Sequence, residues 1–90
     1  MRRVSPATIR AARALLDWDN KELARRSGVS LNTIQRMQSG NTLDGRINLV
    51  MAVWRAFEEA GVEFLHDQQT GAIGVLLHKA PDSRSGAAET

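Results

Sequence analysis

The sequence predicts an all-α domain of four or five short helices with a C-terminal β-hairpin extension. Three observations carry that expectation. Apolar residues recur at helical spacing from Ile9 to Ala60. Residues that start or stop helices fall between the stripes, at Ser5-Pro6, Asp19, Gly28, Ser30, Gly40 and Gly61. After Gly61 the pattern changes to two short segments with strand character.

Ser5 is a good N-cap and Pro6 suits the first helical position, so helix one opens there. Ile9, Ala12, Leu15 and Leu16 form its apolar stripe; the helix ends near Asp17, and Trp18 turns inward as a plug. Asp19 caps helix two, and Glu22 three residues on suggests a capping box. Leu23 and Ala24 point inward, Gly28 ends the helix in a left-handed backbone, and Val29 anchors the turn. Ser30 caps helix three, which buries Ile34 and Met37 and stops at Ser39-Gly40-Asn41.

Helix four runs from about Arg46 to Ala60 with two adjoining apolar stripes. Ile47, Val50, Met51, Trp54 and Phe57 make one; Leu49, Val53, Ala56 and Ala60 make the other. Two stripes imply contact on two sides, one of them with later chain or another subunit. Val62–His66 and Ile73–His78 read as the hairpin strands. Three regions follow: a helical unit at 1–61, a hairpin extension at 62–80 and a disordered polar tail at 81–90.

Ninety residues make one small domain, for which a partner subunit is a natural source of extra stability. There is no cysteine, which excludes disulfides and thiolate metal sites. The longest apolar run, Leu49 to Trp54, is far short of a membrane span. Arg10 and Arg13 interrupt anything like a signal-peptide core, so a cytoplasmic protein is expected. Residues 1–40 hold eight Arg or Lys against three Asp or Glu, a net of +5, while residues 41–90 hold four against seven, a net of −3. A basic half fits a phosphate-backbone partner; a solvated Arg-rich surface is the plainer alternative.

The most informative stretch is 20–39. A small residue (Ala24), a positive-φ residue (Gly28) and apolar anchors (Leu23, Val29, Ile34, Met37) are what two helices crossing at a steep angle require. Trp18 to Gly40 resembles the Cro/C1-type (XRE family) helix-turn-helix of bacterial and phage repressors. It does so most specifically at Leu23-Ala24, Gly28-Val29-Ser30, Ile34 and Gly40. The resemblance covers roughly residues 6–60 and implies a λ-repressor-like DNA-binding domain, dimeric on palindromic operators. It implies a phosphate contact for Asn20, base contacts for Leu31, Asn32 and Arg36, and backbone contacts for Ser30, Thr33 and Asn41.

Side-chain chemistry agrees. Arg36 has the fork that pairs with guanine, Asn32 the amide that pairs with adenine, and Leu31 offers apolar contact to a thymine methyl. Gln35 joins the base-facing set, and Ser39 the backbone-facing set, on the same outer side. Arg25 and Arg26 offer long-range steering. One departure stands out. Many relatives carry Glu at the position of Gln38, ion-paired to an arginine on helix one, here Arg13; Gln38 leaves only a neutral acceptor.

Other chemistry finds no support. His66 and His78 near Glu63 and Asp67 follow no metal-site spacing, and no triad, phosphate loop or HExxH appears. No enzyme, cofactor or metal is expected. The expected partners are double-stranded DNA and a second copy, with Leu49, Val53, Phe64, Val75 and Leu77 as dimer contacts. The alternative from another class is a protein-binding module on the same fold, such as an antitoxin or anti-activator.

Overall fold

Ser5 and Thr8 start the first helix by serving each other. In the computed structural model, which describes residues 4–39 and 47–78, the Thr8 amide donates to Ser5 Oγ at 3.2 Å. The Ser5 amide donates to Thr8 Oγ1 at 2.8 Å in return. This reciprocal cap opens α1 (Pro6–Leu16). Asp17, left-handed at φ 58°, closes it. Then come α2 (Asn20–Ser27), α3 (Leu31–Met37), α4 (Ile47–Glu59), β1 (Val62–His66) and β2 (Ile73–Leu77). The described residues thus form four helices followed by a two-stranded antiparallel hairpin. The tail at 81–90 and Asn41 lie outside the described residues.

α2 opens with only half of the expected box. Asp19 Oδ1 accepts from the Glu22 amide at 2.8 Å. Glu22 does not reach back, because Arg25 Nη2 and Arg26 Nε hold its carboxylate at 2.6 and 2.7 Å. Two guanidinium donors outcompete one amide. They hold the Glu22 carboxyl far below its ordinary value, at about 2, Arg25 contributing most and Arg26 next.

The core gathers Ile9 and Ala12 from α1, Leu23 and Val29 from α2 and its turn, Ile34 and Met37 from α3, and four residues of α4. Those four, Val50, Val53, Ala56 and Phe57, come from both predicted stripes. Ile47, the first residue of the helix, does not join them and is exposed. Leu15 is exposed too, and Thr8 takes inward space instead. Trp18 plugs the helices as expected, stacking on Phe57 with ring centroids 5.6 Å apart.

The second side of α4 is covered by later chain. β1 packs on it through buried Val62 and Phe64, and Phe64 meets Phe57 edge-on at 5.8 Å. β2 lies along α1. The hairpin is therefore part of the core and not a detachable extension. Val53 and Phe64, expected at a dimer contact, are buried within the single chain. Of the five expected residues, Leu49 and Val75 are half-buried and Leu77 is exposed.

Gly61 joins α4 to β1 at φ +99°, a conformation that disfavours any side chain. A Cβ there would stand 2.7 Å from the His78 carbonyl oxygen. The Gly61 carbonyl also accepts from the His78 amide at 2.7 Å, so the backbones cannot part without losing a ladder bond. Gly61→Ala is expected to cost at least about 2 kcal/mol, from the backbone conformation and the clash together, read from the urea midpoint. A change under about 0.5 kcal/mol would show that the hairpin shifts freely.

Candidate nucleic-acid interface

α3 stands on Ile34 and Met37 and turns its other side outward. Asn32, Gln35, Arg36 and Ser39 are all exposed. Spacings of three and four residues put Asn32, Gln35 and Arg36 on one face of α3, and Ser39 follows just past its end. Among the described residues, no hydrogen bond or ion pair engages the side chains of Asn32, Gln35 or Arg36. That is one carboxamide, a second carboxamide and a guanidinium fork with their donors and acceptors open.

The hydroxyls beside them are less free. Ser30 Oγ accepts from the Thr33 amide at 3.3 Å and donates to Thr33 Oγ1 at 3.0 Å. Ser30 is occupied as a cap, while the Thr33 proton stays available. Ser39 Oγ donates to the Arg36 carbonyl at 3.1 Å. Leu31 is only half-buried, so part of its side chain reaches the surface.

The end of α3 is held by Gln38, which is buried. Arg13 Nε donates to Gln38 Oε1 at 2.9 Å, the neutral-acceptor bond anticipated above. That bond leaves Gln38 Nε2 to donate. It donates to the Ile34 carbonyl at 2.9 Å, which the helix backbone leaves unpaired at this end, and to Asn20 Oδ1 at 2.8 Å. Arg10 Nη1 adds a bond to the Gln38 carbonyl at 2.6 Å. One neutral side chain thus ties α1, α2 and α3 together.

The network also aims Asn20. Its oxygen is used by Gln38, so its Nδ2 donor pair points away from that bond. Asn20 sits in the first turn of α2, where the backbone offers further amide donors. Lys21, exposed beside it, adds a cation that the sequence reading passed over, although its neighbour to Asn20 was the available signal. Arg13 is held within the fold at both ends of its guanidinium, since its Nη1 also donates to the Trp18 carbonyl at 3.1 Å.

The steering role expected of Arg25 and Arg26 is reduced. Both are paired to Glu22, and the Arg26 guanidinium also lies 4.7 Å from the Trp18 ring centroid. Three charges there sum to one positive. The role of Gln38 as a hub had little local signal, because its partners on α2 and α1 lie 18 and 25 residues away.

No three His, Asp or Glu side chains among the described residues are grouped to hold a metal ion. Among the same residues, no helix is long and apolar enough to cross a membrane. A comparison with protein-family models, curated proteins and solved structures returns no match, so the reading of this face rests on the chain's own residues.

Proposed function

We propose that this chain is a sequence-specific DNA-binding regulator of transcription that reads a palindromic operator with α3. The observation that carries the reading is the open face of Asn32, Gln35 and Arg36 on a helix locked at its far end by Gln38. Arg36 pairs with guanine, Asn32 with adenine, and Leu31 packs against a thymine methyl. Asn20, Thr33 and Lys21 hold backbone phosphates. The sequence of α1 to α4 suits the λ-repressor-like arrangement that the Cro/C1-type resemblance implies.

Repression is the favoured direction, because a repressor needs only to occupy its site. Two copies would bind half-sites one helical turn apart, roughly 34 Å. The rival reading, a module whose ligand is a protein, draws on the acidic C-terminal half and on Leu31, which is half-buried.

The test uses a duplex selected from a random library and fluorescence anisotropy. Arg36→Ala is expected to cost about 1–3 kcal/mol on that duplex and to relax preference at one base pair. The logarithm of the binding constant is expected to fall linearly with the logarithm of salt. Unchanged affinity in Arg36→Ala sinks the reading of α3. Failure to select any duplex, alongside salt-indifferent capture of a protein, favours the rival.

A further inference from the structure

The phase of the hairpin ladder decides which backbone groups are left over. The His78 amide donates to the Gly61 carbonyl at 2.7 Å, and the Asp67 amide to the Ala72 carbonyl at 2.8 Å. Both pairs continue the register in which Val62 faces Leu77 and His66 faces Ile73. Bonded and non-bonded pairs alternate in an antiparallel ladder. Glu63–Leu76 and Leu65–Gly74 are therefore the bonded pairs. Ile73, Val75 and Leu77 turn their amides and carbonyls to the open side of β2. Among the described residues, nothing hydrogen-bonds to those six groups.

We infer that this edge is a self-pairing surface. A second copy of the chain adds its own β2 antiparallel across a two-fold axis at Val75, and the two hairpins become one four-stranded sheet. Ile73 then faces Leu77 of the second copy, Val75 faces its own equivalent, and Gly74 faces Leu76. The six free groups on each copy meet their counterparts and form six backbone hydrogen bonds.

Three features favour this occupant. First, the edge carries none of the guards that keep strand edges apart. The strand Ile-Gly-Val-Leu-Leu has no charge and no proline, whereas β1 carries Glu63 and His66. Under a two-fold axis a charged strand meets its own charge; this one meets only apolar side chains.

Second, the apolar surface lies where the second copy would cover it. Ile73 and Leu76 are 47 % exposed and Leu77 is 40 % exposed. Ile73 and Leu77 share one face of the strand and Leu76 the other, so a strand added at this edge borders all three. Third, the outer face has a matching gap. A Cβ built at Gly74 meets no atom within 4 Å, so space is open there beside Leu65. In the proposed register Leu76 of the second copy lies opposite Gly74, and the two leucines close over it.

The proposal supplies the dimer that the operator reading calls for, but it stands on the strand edge and not on DNA. Sedimentation equilibrium of the full chain tests it, with circular dichroism as the check on folding. The wild type is expected to reach a dimer as concentration rises. Ile73→Lys and Leu77→Glu, at exposed positions, are each expected to weaken self-association roughly tenfold or more. The double variant is expected to recover much of it, because opposite charges then face each other twice across the axis; within one chain they are too far apart to pair.

A second measurement needs no substitution. Exchange of the Ile73, Val75 and Leu77 amides is expected to slow as concentration rises. A monomer at every concentration overturns the proposal. So do single variants that associate like the wild type, a double variant no tighter than the singles, or amide exchange at those three positions indifferent to concentration. Arg36→Ala is expected to leave self-association unchanged, which separates this result from the fate of the DNA reading.

Discussion

Replacing Phe57 with Ala is expected to cost about 3–5 kcal/mol. Phe57 is the largest fully buried side chain among the described residues. Phe57 has no exposure, stacks on Trp18 and meets Phe64 edge-on. It joins the α1–α2 corner to the hairpin, so the cavity opens where two parts of the core meet. A domain this small has a total stability near the lower end of the usual range of about 5–15 kcal/mol. The variant should therefore be largely unfolded at growth temperature, or melt roughly 15–30 °C lower. A thermal melt by circular dichroism reads the result. A shift of only a few degrees would mean that the neighbouring rings collapse into the space, and that the core is less tightly built than its burial implies.

Gln38→Ala is expected to act on stability and binding together. It strips the Ile34 carbonyl of its partner and frees Arg13 and Asn20. Each buried group left unpaired costs about 1–3 kcal/mol, so a loss of about 2–3 kcal/mol in the urea midpoint is expected. In the proposed reading Gln38 touches no DNA, yet affinity for the selected duplex should fall, because α3 loses its tie and Asn20 its aim.

Gln38→Glu separates the two effects. A carboxylate gives Arg13 a stronger partner, so stability should largely return. It cannot donate to Ile34 or Asn20, and Asn20 must then present its amide to the new carboxylate and its oxygen outward. DNA affinity should stay low in this variant. Wild-type affinity in Gln38→Glu would remove Asn20 from the phosphate-binding set.

Much of this was readable in the chain because it is local. Ser5, Asp19, Ser30 and Gly28 mark helix ends through bonds that span four residues or fewer, and all four act where expected. Ile34 and Met37 bury, and Asn32 and Arg36 face out, because the helical period dictates both at once. The bond from Arg13 to Gln38 was anticipated only because the resemblance pointed to that pair.

What stayed hidden depends on neighbours distant in sequence. Leu15 and Leu16 both qualify for the stripe of α1; only the direction of packing against α2 and the hairpin decides between them. Val53 and Phe64 looked like dimer contacts because a two-sided apolar helix does not say whether its own chain or another covers it. The competition for Glu22 was settled by Arg25 and Arg26, whose reach no capping pattern includes.

The neutrality of Gln38 has a bearing on how any titration with electrolyte would look. A glutamate at that position would form an ion pair with Arg13 that dissolved salt could screen and acid could discharge. An amide carries no charge to discharge and little to screen. The clasp between the first three helices should hold its shape across the range of ionic strengths that strips a protein from a polyanion. Any loss of grip seen in such a titration would then report displaced counterions alone, with the reading head itself unaltered.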